Sequence, residues 1–320
     1  MSRFGAPEPL PLQRREVLFE SLGISVVDFR CRAHVEPAGP EEPNPTHSIA
    51  LVRRGVFRRS YKSDGLVADS NFVLFFNKNE PYRYAHPFPG GDDCTILTVE
   101  TPRALELVAR HSPRDAERPE TPFRLGHGVC SPRGARLHYE LLARVRRGPL
   151  LAIEDVLAEL ADEAVRAAYR THAGSAQGEP TSGSARSRRR DLVEAAKLKL
   201  NEQLELPPSL GELARILGCS PFHLSRTFHR TVGLSLRRYI ARLRTGAAAH
   251  ALAGGARGLT ELALDLGYAD HSHFTNAFRN EWGLPPSRFR ALLGSMTFLD
   301  PRGLDVSMQK LRRSEVETVQ

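Results

Sequence analysis

The sequence predicts a multidomain chain: a mostly β N-terminal half, then helices, then an all-α C-terminal module holding two helix-turn-helix units. Three observations carry this prediction. Short β-rich runs separated by Gly/Pro turns occupy residues 17–101. Helical periodicity takes over from 136 to 171. Between 209 and 292 one supersecondary pattern is written twice.

The β reading rests on ISVVDFRCRA, SIALVRRGVFRRSY, NFVLFF and CTILTV as strands. EPAGPEEPNP, KSDG, NKNEP and HPFPGGDD punctuate them. Many short strands with such turns argue for a barrel or sandwich. Residues 1–15, with three prolines, read as an extended arm. The aromatic group Phe57, Tyr61, Phe72, Phe75, Phe76, Tyr82 and Tyr84 would fill the β core or line a ligand cavity in it.

LHYELLARV and IEDVLAELADEAVRAAY then read as helices. The second places Ile153, Val156, Leu157, Leu160, Ala164 and Val165 along one stripe. That stripe could cover the β domain or pair with its copy in a second chain. Residues 172–190 are rich in small and charged side chains and read as a flexible linker.

The repeat is LGELARILGCSPFHLSRTFHRTVGL (210–234) and LTELALDLGYADHSHFTNAFRNEWGL (259–284). Glu212, Leu213, Ala214, Leu217 and Gly218 match Glu261, Leu262, Ala263, Leu266 and Gly267. After one inserted residue, Leu224, Phe228 and Gly233 match Phe274, Phe278 and Gly283. Ser220 and Asp270 are the expected N-caps of the second helices, and Gly218 opens the first turn. Leu224 and Phe228 face inward in the first copy; Phe274, Phe278 and Trp282 do so in the second. Polar outer faces remain, which is the geometry that enters a DNA major groove.

Charge agrees with that reading. Residues 186–293 hold 17 Lys and Arg against 9 Asp and Glu, an excess equal to the +8 of the whole chain. Phosphate neutralisation by Lys and Arg supplies non-specific DNA affinity, so a DNA module needs this localisation.

With its Gly-Leu-Pro-Pro ending and following Arg-Phe-Arg, the region from about Arg190 to Leu292 resembles the DNA-binding domain of AraC/XylS-type transcription regulators. The resemblance covers roughly a third of the chain. It implies two lobes joined by a long helix over 236–252, closed by Gly254 and Gly255. The recognition helices would be 221–231 and His271–Trp282. Phe222, Ser225 and Arg226 would read bases in the first lobe, and Ser272, Thr275 and Asn276 in the second. His271 would stand just before them and Arg279 would meet phosphate. Asn276 stands where some relatives carry arginine, and asparagine suits adenine rather than guanine.

The resemblance also implies a cupin-like barrel as an N-terminal effector sensor. The expected division is thus a β-rich sensing domain at 1–135, a helical dimerisation segment at 136–171, the linker at 172–190, the DNA-binding domain at 191–293 and a tail at 294–320. The implied function is sequence-specific transcription regulation, as activator or repressor, by a homodimer responsive to a small-molecule effector. Double-stranded DNA is the principal partner, and RNA polymerase is a further one that the family allows.

Other expectations are negative. No apolar run is long enough to span a bilayer and no signal-peptide core is present, so the expected location is cytoplasmic. The four cysteines (Cys31, Cys94, Cys130 and Cys219) are expected as reduced thiols. No catalytic residue, cofactor or metal is expected. Cys31, His34, His47, His86 and Cys94 carry suitable donor atoms, but their spacing matches no strong zinc pattern. The alternative is a cupin-type metalloenzyme fused to a DNA-tethering module. A DNA-alkylation repair regulator would need a cysteine cluster that dispersed thiols do not supply.

Overall fold

A computed structural model describes residues 13–34, 38–61, 64–173, 183–256 and 258–294. The β strands are β1 (Gln13–Ser21), β2 (Ile24–Cys31), β3 (Glu42–Pro43), β4 (His47–Gly55), β5 (Phe57–Tyr61), β6 (Asp64–Ala68), β7 (Phe72–Phe76), β8 (Pro81–Ala85), β9 (Asp92–Val99) and β10 (His127–Val129). The helices are α1 (Thr101–Ala109), α2 (Pro132–Arg147), α3 (Leu150–Ala173), α4 (Gly183–Glu202), α5 (Leu210–Ile216), α6 (Pro221–Val232), α7 (Leu236–Ala253), α8 (Leu259–Asp265), α9 (His271–Trp282) and α10 (Pro286–Leu293).

The strands form two sheets, ordered β1-β2-β9-β4-β7-β10 and β3-β8-β5-β6. They are not closed into a barrel, which corrects the cupin-like expectation. The physical reason lies in the larger sheet, whose central strands β4, β7 and β9 are buried on both faces. On one face Ile49, Leu51, Val73, Phe75, Leu97 and Val99 meet Leu107 of α1, Leu141 of α2 and Leu157 and Leu160 of α3. On the other, Ala50, Val52, Phe72, Leu74 and Cys94 share a core with Val193, Ala196, Leu200, Phe228, Tyr239 and Leu243. Helices α4, α6 and α7 enter this core beside Phe57 and Ala68 of the smaller sheet, so part of the face that a barrel would turn inward is covered by helix instead. Because side chains alternate along a strand, two buried faces demand continuous apolar runs, and SIALV and FVLFF are such runs.

Two further expectations are narrowed. The stripe Ile153, Val156, Leu157, Leu160, Ala164 and Val165 is consumed inside the chain, at 5% exposure or less. It covers the sheet, the first of the two roles that the sequence leaves open. The linker is also shorter than expected. His172 and Ala173 complete α3, and 183–190 open α4. Residues 174–182, 1–12 of the expected arm and 295–320 of the expected tail lie outside the described residues, while 13–15 of the arm open β1 and pair with β2. The strands β1, β6, β8 and β10 and the helix α1 complete the N-terminal half without having been singled out from sequence.

Of the aromatic group, Phe57, Phe72 and Phe75 are buried in the β core, while Tyr82 and Tyr84 are half-buried. Phe75 lies against Phe123 at 5.2 Å, Phe76 against Tyr82 at 5.2 Å, and the Arg59 guanidinium sits 5.0 Å from the Phe76 ring.

The halves meet through polar contacts as well as shared apolar cores. Asp69, just after β6, is fully buried. It accepts hydrogen bonds from the Asn71 amide at 2.9 Å, from Asn201 Nδ2 of α4 at 3.0 Å and from the Tyr239 hydroxyl of α7. Glu194 of α4 accepts from the Val67 amide at 2.5 Å. Lys197, 1% exposed, pairs with Glu194 at 2.9 Å and stands 4.1 Å from the centre of the Phe72 ring. In the second lobe Tyr139 of α2 packs edge-on against Trp282 at 5.5 Å and Phe289 at 5.6 Å.

Two buried histidines add a pH dependence. Burial, with Arg53 and His250 nearby, pushes His138 down to about 3. Burial likewise pushes His250 of α7 down to about 3, against the pull of Asp93 at 3.6 Å and with Arg53, Arg54 and Arg30 adding to the effect of burial. An unfolded histidine binds its proton near pH 6.5, so between 6.5 and 3 the unfolded chain holds more protons. Stability is therefore full above pH 6.5 and falls as pH drops. Each histidine is expected to contribute a loss on the order of 2 kcal/mol between pH 7 and 5. Urea unfolding at the two pH values checks this, and His138→Gln should flatten the dependence.

Candidate nucleic-acid interface

The first lobe is built from α5 and α6 with α4 and α7 behind them. Ser209 begins α5 with a reciprocal cap: its Oγ accepts from the Glu212 amide at 3.3 Å, and its own amide donates to Glu212 Oε2 at 2.8 Å. Gly218, at φ +67°, turns the chain. Ser220 Oγ then accepts from the His223 amide at 3.2 Å and Pro221 opens α6. Leu224, Thr227, Phe228 and Val232 form the buried face of α6, with Phe228 edge-on to Tyr239 at 5.1 Å. Gly233 closes the helix in the left-handed conformation. These caps satisfy terminal amides locally, so the recognition helix starts at a position that the sequence sets.

The second lobe repeats this plan. Asp270 Oδ1 accepts from the His273 amide at 2.7 Å. Phe274, Phe278 and Trp282 are buried; Phe278 stacks on Trp282 at 5.4 Å, and Phe289 of α10 meets Trp282 at 4.9 Å.

The outer faces hold most of the expected base readers. Phe222 is 73% exposed, and Arg226 is exposed beside it on the outer face of α6. Ser225 is half-buried. On α9, His271, Ser272, Asn276 and Arg279 are exposed. Thr275 differs: it is half-buried, and its Oγ1 is buried without a hydrogen-bond partner among the described residues. That hydroxyl is directed into the lobe rather than out of it.

Part of the positive charge faces inward. Lys197 and Arg242 are buried, the latter donating to the Cys130 carbonyl. Arg244 donates to the Leu204 carbonyl at 3.1 Å and the Glu205 carbonyl at 2.7 Å, which fixes the chain between α4 and α5. Arg230, Arg237, Arg279 and Arg288 are exposed, together with Arg226. The N-terminal half covers the backs of both lobes and leaves these outer faces open. Exposed guanidinium groups and hydrogen-bonding side chains on two helices, each held by a buried aromatic face, can neutralise phosphates and reach base edges.

Paired helices of this geometry define a helix-turn-helix DNA-binding protein. Residues 213–292 match the family model described as "Helix-turn-helix domain". The chain is 31% identical over 91 residues to the regulatory protein SoxS of Salmonella typhimurium, covering 28% of this chain and 85% of SoxS. It is 30% identical over 104 residues to the multiple antibiotic resistance protein MarA of Escherichia coli, covering 32% of this chain and 82% of MarA. A third relative is the bifunctional transcriptional activator/DNA repair enzyme AdaA of Bacillus subtilis, 33% identical over 84 residues, covering 26% of this chain and 40% of AdaA. The chain belongs to the AraC-type family of helix-turn-helix transcription regulators, whose DNA-binding domain it carries. It spans well under half the length of the first curated relatives it matches, 40% in the case of AdaA. No helix among the described residues is long and apolar enough to cross a membrane.

Two outcomes follow from this geometry. Gly267 has φ +73°, and a Cβ there would lie 1.9 Å from the Glu205 carbonyl oxygen; at Gly218, φ +67°, a Cβ would meet nothing within 4 Å. Gly218→Ala is expected to cost about 1–2 kcal/mol from backbone conformation alone. Gly267→Ala should cost clearly more, because backbone must move. Thermal or urea unfolding of the pair measures the difference. Arg226→Ala is expected to cost about 1–3 kcal/mol on the preferred duplex and to relax one base position, whereas Arg279→Ala weakens all duplexes alike. Selection from random duplexes with each variant distinguishes these outcomes.

Proposed function

We propose that this chain is a cytoplasmic, sequence-specific transcription regulator that reads an asymmetric DNA site and is controlled by an effector through its N-terminal half. The observation that carries the reading is the division of each recognition helix. Its outer face is open, and its buried face leads into a core shared with, or packed against, the N-terminal half. The outward residues differ between lobes, Phe222, Ser225 and Arg226 against Ser272, Thr275 and Asn276, so their base preferences should differ as well.

Control then follows from packing rather than from a loose tether. An effector that favours one arrangement of the sheet changes the seating of α4 and α7, to the extent that it binds that arrangement more tightly. The cavity between the halves, lined by Asn71, Cys130, His138, Arg242 and Trp282 among others, is only about 30 Å³. That space takes a few waters and is far smaller than a pocket for a drug-sized ligand. An effector would therefore act by opening a different arrangement. Pairing of two copies through the α3 stripe is not part of this proposal, since the stripe is already buried.

The deciding experiment is selection of random duplexes by the full-length protein, followed by footprinting. Two unlike protected segments about one helical turn apart, ~34 Å, are expected per chain, with affinity falling steeply as salt rises. One perfect palindrome with a single lobe per half-site contradicts the reading. Tyr239→Phe removes a donor from buried Asp69 and should cost about 1–3 kcal/mol of stability. In the full-length protein it should also change DNA affinity, although Tyr239 lies away from the recognition faces; an unchanged affinity contradicts coupling through this contact.

A further inference from the structure

We propose that Cys31, His86, Asp92 and Cys94 form a binding site for a zinc-type divalent metal ion, distinct from the DNA interface. The expectation from sequence spacing was that no metal is held. The fold changes the distances that spacing implies. Cys31 and Asp92 face each other across the β2–β9 pair, and Cys94 lies two residues further along β9 on the same face. His86 arrives from the second sheet, immediately after β8. Donor atoms of Cys31, His86 and Asp92 all lie within 4.8 Å of one another. His86 Nε2 is 2.5 Å from Asp92 Oδ1, and Cys94 Sγ is 2.9 Å from Asp92 Oδ2.

Three features separate this cluster from ordinary packing. The four residues are between 0% and 3% exposed, an expensive place for an imidazole and a carboxylate. His86 Nδ1 is buried with no hydrogen-bond partner among the described residues, so the imidazole is not fully used by its protein neighbours. The backbone is also shaped to bring the donors together. Gly91 has φ +60°, and a Cβ on it would lie 2.2 Å from the Cys31 carbonyl oxygen. Only glycine lets the turn before Asp92 press this close to Cys31.

Cys31, His86 and Asp92 already bring three donors within reach of one ion, and Cys94, whose thiol donates to Asp92, would complete a tetrahedral zinc set by turning its sulfur to the ion, the thiols losing their protons on binding. Tyr84 and Phe57 stand 5.6 and 6.4 Å from the His86 ring and wall the cluster on one side. The next residue, Asp93, pairs with Arg32 at 2.5 Å and lies 3.6 Å from His250 of α7, the helix between the two lobes. A metal at Asp92 would thus sit one residue from a contact to the DNA-binding module.

The test uses full-length, reduced protein freed of metal and titrated with Co²⁺. One equivalent should produce thiolate-to-cobalt charge-transfer absorption and intense tetrahedral visible bands, both bleached by Zn²⁺. Cys31→Ser and Cys94→Ser should each remove roughly half of the charge-transfer intensity. Asp92→Asn should weaken binding by about 10-fold or more. Cys219→Ser, in the turn of the first lobe, should leave it unchanged. In the unsubstituted protein, Zn²⁺ should protect Cys31 and Cys94 from a thiol reagent without changing the reactivity of Cys130 or Cys219, which locates the site even if a variant fails to fold. Absence of thiolate–cobalt absorption overturns the proposal. So does absorption that persists in the Cys31→Ser/Cys94→Ser double variant, or a Cys31–Cys94 disulfide in protein that takes up no cobalt after reduction.

Discussion

The central strands β4, β7 and β9 of the larger sheet are buried on both faces, and the arrangement of the rest of the molecule follows from that constraint. Alternation along β4, β7 and β9 sends neighbouring side chains into different cores, one beneath α1–α3 and one beneath α4 and α7. Burying a Val, Leu or Phe side chain contributes about 1.5–3 kcal/mol, so separating the halves would forfeit several such contributions together. The DNA-binding module is in this sense the second lid of the sheet. Its recognition helices are placed by what their inner faces touch.

Polar groups make that placement specific. Apolar surfaces tolerate sliding, whereas a buried carboxylate with three donors tolerates little. Asp69 receives hydrogen bonds from its own loop, from α4 and from α7. Removing a donor leaves the buried carboxylate less fully hydrogen-bonded in a dry environment, at a cost beyond that of an exposed hydrogen bond. Lys197 and Arg242 act similarly, fixing helices of the DNA module to Phe72 and to the Cys130 carbonyl. Charges that a composition count assigns to DNA are thus divided between two tasks. Those on the outer faces remain for phosphate, and those on the inner faces hold the halves in register.

The same sheet accounts for the proposed metal cluster. Antiparallel pairing converts a separation of 61 residues between Cys31 and Asp92 into direct opposition. The second sheet supplies His86 from above. No local motif announces such a site, because its donors come from β2, β9 and the end of β8. This placement also puts it near α7, through Asp93 and His250, so the strand that carries two donors borders the DNA-binding half.

What the sequence determined by itself is local. Ser209, Ser220 and Asp270 cap helices, Gly218 and Gly267 turn the chain, and Leu224, Phe228, Phe274 and Phe278 mark inner faces; each acts within one or two helical turns. The duplicated module, its family and its outward residues were therefore legible, apart from Ser225 and Thr275, whose half-burial depends on neighbouring packing. What only the tertiary structure decided is what each apolar surface covers. A stripe such as Ile153–Val156–Leu160 states that it must be buried, not by which partner. The continuous apolar strands fit a barrel as readily as a sheet lidded twice. Hydrophobic burial is non-directional, so its partner is chosen by long-range contacts such as Asp69 with Tyr239 and Tyr139 with Trp282, which leave no periodic signature in the chain.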